Sequence, residues 1–550
     1  MTTPAVYSHF MNMESQVICS TLPAELMVEV LENLNYRDLL KCRLVSRWLR
    51  DIIDRFDSFQ YKISLASAGV SDNPLNTMLK GQKRELLLQH RAKWLSRQAV
   101  PKSANTDKRA YPAQEGPAWE LVGGVLAQSR DRNTIEFVRL PSILRGIQEE
   151  TWTVDLPCPH ADFTMDPAQD LLVMIEQWDH GQTRTHLHLL TMSTGKPHPR
   201  ARSSILFIEY SSDVRPRYEI RINGAYIGLL VEVWSESANV HVWDWGSGET
   251  QCYIGSEEHR RIASFIFLDN ARILLALESD RGPPISIPPR KGPRLEIVGF
   301  KHNAARRWVL LFPRLKAGED LDQLILTCEP GPLYIPPLDE KPPFHVFDVA
   351  KKGRSGERVV MFNMSATQSS AIVTVSLLST KLLNIPLAFA QAKDGISWVE
   401  WQQWGPSTVH LDTMSIWEGL WPCVTYGTKA VLLRPNGARN ADIVVQDFSQ
   451  AGTRWEELRQ VQEARESLGI SENKPALKVF NGHTEDSVLS LSQRMIRALF
   501  EEDVETLLPY TQLEIPGRVS QRDQVMLSED SIVVVKNGRW NAVSFDVYPI

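Results

Sequence analysis

The sequence predicts a multidomain α+β protein, with a small helical unit near the N-terminus and a large all-β domain after it. Apolar residues between positions 22 and 53 recur at helical spacing, which predicts a compact helical hairpin. From Trp119 onward the apolar pattern changes to strict alternation, the period of half-buried strands. A polar, proline-bearing stretch at 101–117 separates the two patterns and marks the predicted boundary.

The predicted helices have recognisable start signals. Thr21 can cap the first helix, and Pro23 is tolerated in a first turn, where a backbone N–H has no intrahelical partner. Asn35 precedes Asp38 by three positions, as in a capping box with Asp in place of Glu. Ser46 can cap a third short helix. These signals predict three consecutive helices.

The segment at 22–53, LPAELMVEVLENLNYRDLLKCRLVSRWLRDII, resembles the F-box. The matching parts are the opening Leu-Pro-x-Glu-Leu at 22–26, Val-Leu-x-x-Leu at 30–34, and Asp-Leu-Leu-x-Cys-Arg-Leu-Val-Ser at 38–46. The resemblance implies docking onto a Skp-type adaptor and, through it, onto a cullin. By the same resemblance, the adaptor-facing and internal apolar residues are Leu22, Pro23, Leu26, Val30, Leu31, Leu34, Leu39, Cys42, Val45 and Trp48. The sequence does not divide this set between the two roles.

The chain divides into four predicted parts. These are a flexible leader at 1–18, the F-box at 19–56, a helical connector at 57–110 and a β domain at 111–550 with loop and helical insertions. In the connector, an amphipathic helix is predicted at 80–98, with Leu86, Leu87, His90 and Trp94 on its apolar side. Its basic residues predict a solvated face: Lys83, Arg84, Arg91, Lys93 and Arg97.

Hairpin signals recur along the β domain. Asn-Gly pairs at 223–224, 436–437 and 537–538 stand between alternating strands, and both residues of such a turn need positive φ. The segment at 239–249, NVHVWDWGSGE, resembles the end of a WD-repeat blade. Weaker echoes occur at 187–195, 344–348 and 443–448, but their spacing is irregular. The pattern predicts an all-β domain of antiparallel units.

This strand-rich region most simply makes a β-propeller of about seven blades, at roughly 40–45 residues each plus insertions. The last strand is expected to pair with an early one near 119–125 and so close the ring. A pair of β-sandwiches is the alternative. Insertions are expected as loops at 281–294 and 329–343 and as helices at 453–468 and 487–507. The apolar stretch at 371–392 is predicted to form strands rather than a membrane span.

Further segments resemble the large F-box family of basidiomycete fungi. They are Gly-Val-x-Asp-Asn-Pro at 69–74, HADFTMDPAQDLLV at 160–173 and FEEDVETLLPY at 500–510. The resemblance is specific in the first hundred residues and looser after them. It implies a ligase subunit but does not identify the protein substrate.

Composition excludes several classes of function. The 60 basic and 66 acidic residues nearly cancel and no long basic run occurs, so no nucleic-acid binding is expected. The six cysteines form no CxxC pair, which is typical of reduced intracellular thiols. The first twenty residues lack a secretory pattern. We therefore expect an intracellular protein, of cytoplasm or nucleus or both, without membrane association.

Motifs of catalysis were not found. The chain has no Gly-x-Ser-x-Gly elbow, no Walker loop and no His-Glu-x-x-His. We expect no catalytic residue, no cofactor and no metal. His186 and His188 share one strand face, but no cysteine or carboxylate cluster stands near them in the sequence, which favours an ordinary strand surface.

The expected function is that of a substrate receptor of a Skp–cullin–F-box type ubiquitin ligase. The F-box would hold the adaptor, and the β domain would hold a protein substrate near the ubiquitin-charged enzyme. The first alternative is an F-box-bearing interaction scaffold without a role in degradation. The second is a propeller enzyme with a site in its central channel.

Overall fold

The computed structural model describes a bundle of short helices and a ring of β-sheets. The described residues are 22–68, 70–95, 109–113, 118–142, 144–179, 183–209, 215–233, 238–255, 261–278, 294–301, 306–319, 324–328, 342–345, 358–365, 372–389, 395–412, 423–436, 439–449, 477–480, 496–497, 499–502, 510–537 and 542–549, with the single positions 116, 504, 506 and 508. The predicted leader and the predicted Thr21 cap lie outside them.

The N-terminal helices form in the order that the sequence predicts. They are α1 Ala24–Glu32, α2 Tyr36–Val45, α3 Arg47–Arg55, α4 Asp57–Ala68 and α5 Lys80–Leu95, with strand β1 Ser71–Asp72 between the last two. We call residues 22–95 the helical unit. Ser46 Oγ accepts a hydrogen bond from the Leu49 N–H at 3.2 Å, which confirms the predicted cap. Asn35 Oδ1 likewise accepts from the Asp38 N–H at 3.1 Å.

Seven sheets form the blades of a β-propeller, and the first three are regular four-stranded antiparallel sheets. Before the ring comes β2 Arg109–Pro112. Blade 1 is β3 Trp119–Val122, β4 Val125–Ser129, β5 Thr134–Arg139 and β6 Glu150–Asp155; blade 2 is β7 His160–Asp166, β8 Leu171–Glu176, β9 Arg184–Thr191 and β10 Ile205–Glu209; blade 3 is β11 Arg217–Asn223, β12 Tyr226–Glu232, β13 Ala238–Asp244 and β14 Glu249–Gly255.

The remaining four blades depart from this regular order in strand number or in the origin of a strand. Blade 4 is β15 Ile262–Phe267, β16 Arg272–Leu277, β17 Arg294–Gly299 and β18 Arg307–Leu311, joined later by a parallel fifth strand, and β19 Phe344–His345 follows outside the blades. Blade 5 consists of β20 Val359–Ser365, β21 Ile372–Leu378 and β23 Val409–Asp412. Between β21 and β23 the chain forms α6 Ser379–Ala388, then β22 Ile396–Val399, which is the fifth strand of blade 4, and then α7 Trp401–Thr408. Blade 6 is β24 Thr425–Tyr426, β25 Lys429–Asn436, β26 Asn440–Asp447, β27 Leu477–Phe480 and β28 Tyr510–Ser520. Blade 7 is β29 Gln524–Leu527, β30 Ser531–Asn537 and β31 Ala542–Pro549, with β2 at its outer edge.

The ring closes at a different strand from the predicted one. Residues 109–112 of β2 pair antiparallel with β31, from Arg109 opposite Val547 to Pro112 opposite Ser544. The expected closing region, 119–125, instead begins blade 1. The chain thus adds the outer strand of blade 7 before it starts the first strand of blade 1. Residues 109 and 110, assigned to the connector from the sequence, thus belong to the propeller.

The apolar core lies between successive blades. Leu187 and Leu189 of blade 2, for example, pack against Ile227 and Leu229 of blade 3. The same arrangement joins the first blade to the last in one cluster: Leu121, Leu126 and Val138 with Met526, Val533, Val535, Phe545 and Val547. A closed ring of sheets confirms the predicted propeller and excludes the paired β-sandwiches.

The predicted hairpins form, with one shift. In the first, Asn223 pairs with Tyr226, so the two turn residues are Gly224 and Ala225, one position later than predicted. Gly224 has φ +57°, a value that glycine adopts without strain. In the other two hairpins the flanking strands pair as predicted, but both glycines lie outside the described residues.

The WD-like segment lies where its resemblance places it. Trp243 and Asp244 end β13, the third strand of blade 3. The Asp244 carboxylate then accepts a hydrogen bond from the Ser247 N–H at 3.0 Å and shapes the turn into β14. The echoes at 187–195 and 443–448 also include third strands, of blades 2 and 6. The echo at 344–348 is wrong, because β19 pairs with β1 of the helical unit instead of joining a blade.

One predicted run of strands is half helical. The stretch at 371–392 begins as β21 but continues as α6, in which Leu382 and Ile385 are buried three positions apart, a helical period. No described helix combines the length and the apolar content that crossing a membrane requires. The predicted helix at 453–468 lies outside the described residues. So do most residues of the predicted loops at 281–294 and 329–343 and of the predicted helix at 487–507.

Candidate docking surface

Part of the apolar surface of the helical unit is not covered by the other residues that the structure describes. Its large side chains are between 38% and 79% exposed: Leu22, Leu26, Val30, Leu44 and Val45. Pro23 is exposed beside them. We call these six residues the docking face. Scattered exposed leucines are normal, but a set concentrated on two successive helices is typical of a protein-binding surface.

The helical period of α1 separates the docking face from the core. Leu26 and Val30 are four positions apart and share the outward side of the helix. Met27 and Leu31, also four apart, share the inward side and are buried. The orientation of α1 about its own axis therefore determines which of its apolar residues are available to a partner.

The predicted site residues fall into three groups. Leu22, Pro23, Leu26, Val30 and Val45 lie on the docking face. Leu31 and Leu39 are buried in the internal core of the unit, with Leu49, Ile52, Ile53 and Phe59. Leu34, Cys42 and Trp48 are half-buried and pack against that core. Helical spacing alone could not make this division, since it depends on where the neighbouring helices lie.

The set named from the sequence omitted one residue of the docking face. Leu44, next to Val45 in the last turn of α2, is 79% exposed. It stands in the Asp-Leu-Leu-x-Cys-Arg-Leu-Val-Ser run from which Val45 was taken. Leu44 and Val45 are exposed on one side of the last turn of α2, whereas Arg43 on its other side is buried against Asp54 of α3.

Polar contacts fix the helices that carry the docking face. Arg43 of α2 donates to both carboxylate oxygens of Asp54 in α3, at 2.7 and 3.1 Å. Lys62 of α4 donates to the backbone carbonyls of Glu32 and Leu34 at the end of α1, at 2.8 and 2.9 Å. A lysine at the C-terminal end of a helix satisfies carbonyls that lack an intrahelical donor. The docking face is thus held on a preformed scaffold.

The helical unit is also joined to the propeller. β1 pairs antiparallel with β19, and the buried Asn73 side chain donates to the Pro342 carbonyl at 2.8 Å. An apolar cluster of Tyr61, Leu87, Leu144 and Phe344 fills the junction between the two parts. We call this junction the propeller interface.

Buried charges lie in the propeller interface. His90 Nε2 of α5 lies 2.7 Å from Asp530 Oδ1 in the turn between β29 and β30, and both side chains are buried. Ser142 also hydrogen-bonds Asp530, and Arg145 forms a buried ion pair with Glu529. Burial alone would raise the pKa of Asp530, but hydrogen bonds from His90 and Ser142, with the charge of Arg145, hold it below its ordinary value.

One basic residue of α5 contradicts the predicted solvated face. Lys83 is buried and its ammonium group lies 2.7 Å from Asp72 Oδ1, which also accepts a hydrogen bond from the Tyr61 hydroxyl at 2.7 Å. Lys83 donates further to the Asn73 carbonyl at 3.0 Å. The turn after β1 covers this side of α5, so its buried lysine braces the segment that contacts the propeller.

A second polar region lies on the inner strands of blades 1 to 3. Glu120 of β3 accepts a hydrogen bond from Thr164 of β7 at 3.2 Å, and Arg221 of β11 binds Glu219 at 3.0 Å. Burial raises the pKa of Glu120 to about 8, with the charge of Arg221 only partly opposing it. Burial likewise raises the pKa of Asp162 to about 6. Perturbed carboxyls of this kind are typical of, though not restricted to, functional sites.

The structure places a carboxylate and a thiol beside His186 and His188 that do not stand near them in the sequence. Both imidazoles lie beside the Glu176 carboxylate, His186 Nδ1 at 3.0 Å and His188 Nε2 at 3.2 Å from Oε2. Cys158 Sγ lies 3.6 Å from His188 Nε2. Strand pairing brings together residues that are 10 to 30 positions apart, which no local pattern could have indicated.

Comparison with protein families identifies an F-box-like domain at residues 19–65. This match covers the helices that carry the docking face, and the chain therefore combines an F-box-like domain with a seven-bladed β-propeller. F-box domains typically bind Skp-type adaptors. Comparison with curated protein sequences gives no match.

Solved structures that this chain resembles weakly are of several kinds. They include protein lmo1340 of Listeria monocytogenes EGD-e (5% identity, TM-score 0.32, 62% of this chain and 82% of that one), TolB from Acinetobacter baumannii (12%, 0.28, 65% and 64%) and Drosophila Semaphorin 2a (8%, 0.31, 80% and 75%). At such TM-scores they say nothing about what this chain binds or does.

Proposed function

We propose that this protein is a substrate receptor of a Skp–cullin–F-box type ubiquitin ligase. The observation that carries the proposal is the coincidence of the F-box-like match with the uncovered docking face. An apolar surface of this kind is stabilised by an apolar partner surface, and a Skp-type adaptor is the partner that F-box domains typically take. The cullin would be reached through that adaptor.

The propeller is proposed to bind the protein substrate. Its loops project from a rigid ring, an arrangement in which binding specificity usually lies in the loops. Because the helical unit is fixed to the ring through the propeller interface, a bound substrate would keep a constant position relative to the adaptor. Such proximity raises the effective concentration of target lysines near the ubiquitin-charged enzyme. No catalytic residue of this chain is needed.

The cellular setting follows from this role. A ligase of this class works inside the cell, so we place the protein in the cytoplasm, the nucleus or both. The fungal F-box family that the sequence resembles is consistent with such a receptor. Reduced thiols are expected there, and the described cysteines at 42, 158, 252, 328 and 423 are not joined in disulfides.

Affinity purification of the full chain tests the proposal. The parent protein should recover a Skp-type adaptor, a cullin and a co-purifying protein whose ubiquitination depends on the adaptor. The triple variant Leu26→Ser, Val30→Ser, Val45→Ser should lose adaptor and cullin but retain the co-purifying protein. Recovery of the adaptor without any adaptor-dependent ubiquitination would favour the scaffold alternative. Equal recovery of the adaptor by both proteins would reject the F-box assignment.

The raised pKa values of Glu120 and Asp162 are the specific observation that favours a propeller enzyme as second candidate. An enzyme of this kind would use one carboxyl as an acid at neutral pH in the channel. Incubation of the full chain and its Glu120→Gln variant with small-molecule extracts distinguishes the enzyme from the substrate receptor. Turnover by the parent that is lost in the variant would support the enzyme. Absence of turnover by the parent protein, together with adaptor binding, would favour the substrate receptor over the enzyme.

A further inference from the structure

Three side chains of different chemistry come together at the boundary of blades 1 and 2. Cys158 lies in the connection from β6 to β7, Glu176 ends β8, and His188 lies on β9. One donor atom from each lies within 4.8 Å of the donor atoms of the other two. Thiolate, carboxylate and imidazole are the three ligand types that proteins use for zinc.

The donor separations match those around a tetrahedral metal ion. With Zn–S of about 2.3 Å and Zn–N of about 2.0–2.1 Å, tetrahedral angles place sulfur and nitrogen about 3.6 Å apart. The observed distance between Cys158 Sγ and His188 Nε2 is 3.6 Å. Two ligands at about 2.0–2.1 Å lie about 3.3 Å apart, and His188 Nε2 lies 3.2 Å from Glu176 Oε2. Two of the three donor separations thus match those around one ion, and the third, between Cys158 and Glu176, is within 4.8 Å.

The backbone holds the donors in place. Glu176 and His188 stand on adjacent, hydrogen-bonded strands of one blade, where Ile175 is paired with Leu187. His186, two positions before His188 on the same strand face, directs Nδ1 to Glu176 Oε2 at 3.0 Å. A second histidine bound to a ligand carboxylate orients that carboxylate, as outer partners of metal ligands commonly do.

We propose that Cys158, Glu176 and His188 bind a divalent transition-metal ion of the zinc type, with His186 as the positioning residue. The ion has three protein ligands, and water completes its tetrahedron. The combination of a soft thiolate with imidazole selects zinc over magnesium or calcium, which prefer oxygen ligands alone.

The ion would connect two blades at the end of the ring away from the helical unit. Strand β6 starts after Leu144 and Arg145 of the propeller interface and runs away from them toward Cys158. The metal would tie this connection to β8 and β9 of blade 2. The site is thus independent of the docking face, and its outcome leaves the proposed ligase function untouched.

Cobalt titration of the full chain tests the site. The protein is stripped with a chelator, kept reduced, and titrated with Co²⁺ and then Zn²⁺. We expect one equivalent of Co²⁺, a near-ultraviolet thiolate-to-cobalt charge-transfer band, and its loss when Zn²⁺ displaces the cobalt. Zn²⁺ should also protect Cys158 from alkylation, as read by mass spectrometry. Absence of the charge-transfer band in the parent protein would overturn the proposal.

Variants locate the site. Cys158→Ser should abolish the charge-transfer band, and His186→Gln should weaken zinc binding about 10–100-fold while keeping the band. The matched control is His241→Gln, because His241 also lies on the third strand of a neighbouring blade and stacks on Trp243 without such ligands. It should bind zinc like the parent. Circular dichroism checks that each variant is folded. A band that persists in Cys158→Ser, or zinc affinity unchanged in a folded His188→Gln variant, would refute the assignment.

Discussion

The helical unit has two faces that are built on different chemistry. The docking face is apolar and uncovered, with Leu26, Val30 and Val45 exposed. The propeller interface is buried and adds defined polar pairs to its apolar cluster, with His90 against Asp530 at 2.7 Å and Asn73 bound to the Pro342 carbonyl at 2.8 Å. Buried polar pairs require defined geometry, whereas apolar surfaces gain free energy from any close-fitting apolar partner.

The two faces therefore have different roles: the propeller interface orients the helical unit on the ring, and the docking face recruits a partner. The polar interface is satisfied within the chain, so it fixes the position of the helices on the ring. The apolar face is not satisfied within the described chain, so its residues are available to another subunit. If this comparison is correct, substitutions on the two faces should have opposite effects on folding and on adaptor binding.

The largest effect is expected at the polar interface. Asp530→Ala leaves the buried His90 and Ser142 without their shared acceptor, and breaking a buried pair in this way typically removes about 3–5 kcal/mol. Hydrogen exchange at the α5 amides should accelerate accordingly, while adaptor binding is retained. The control is Glu209→Ala, which removes an exposed pair with Arg184 worth less than about 1 kcal/mol. Unchanged exchange in Asp530→Ala would mean that the interface does not hold α5.

Two adjacent residues of α1 provide the next test. Leu31 is 2% exposed and Val30 is 55% exposed. Leu31→Ala should lower the unfolding free energy of the helical unit by about 2–5 kcal/mol, because it leaves a cavity in the core. Val30→Ala should change it by less than about 0.5 kcal/mol but weaken adaptor binding. Thermal unfolding and calorimetric titration with adaptor measure both, and equal destabilisation by the two changes would contradict the division of α1.

Two buried carboxyls should respond oppositely to pH. The pKa of Asp530 is lowered, so its stabilisation is present above its ordinary value of 3.8 and is lost as pH falls below it. The pKa of Glu120 is raised to about 8, so its stabilisation is present below 4.5 and is lost as pH rises through about 8. Glu120→Gln should therefore unfold less readily than the parent above pH 8, and Asp530→Asn more readily near neutrality. Denaturant midpoints across pH measure both, and a parallel shift of the two variants would contradict this account.

The smallest effect is expected at the helix cap. Ser46→Ala removes the hydrogen bond from the Leu49 N–H and should lower helical stability by about 1 kcal/mol. Ser46→Asp keeps an acceptor at this position and serves as the control. Amide exchange in the first turn of α3 is the measurement. Loss of adaptor binding in a folded Ser46→Ala variant would indicate that the cap itself belongs to the docking face.

Local signals predicted the local structure well. The start of α3 after Ser46 and the Trp243-Asp244 strand end depend on residues close in sequence and form where such signals place them, while the turn at Gly224 forms one position later. The blade number followed from the amount of strand pattern and the length of a blade. These features need only propensity and periodicity.

Features that depend on contacts between residues far apart in the sequence could not be predicted from it. Lys83 has the sequence context of a solvated residue, but a turn ten positions away buries it against Asp72. Cys158 and Glu176 join His188 only because three strands pair. The closing strand β2 was missed because its short, mixed sequence gains its structure from β31. The part of the docking face formed by Leu44 required knowledge of where α2 ends.

Calorimetric titration of a recombinant Skp-type adaptor into the full chain tests the central claim most directly. The variant Leu26→Ser, Val30→Ser, Val45→Ser is compared with Leu75→Ser, Leu79→Ser, Leu387→Ser, which changes leucines that are 69% to 82% exposed but lie off the docking face. The account predicts a Kd at least about 100-fold weaker for the first variant, since anchor residues contribute about 2 kcal/mol or more each, and a parental Kd for the second. Equal affinity of the two variants for the adaptor would contradict it.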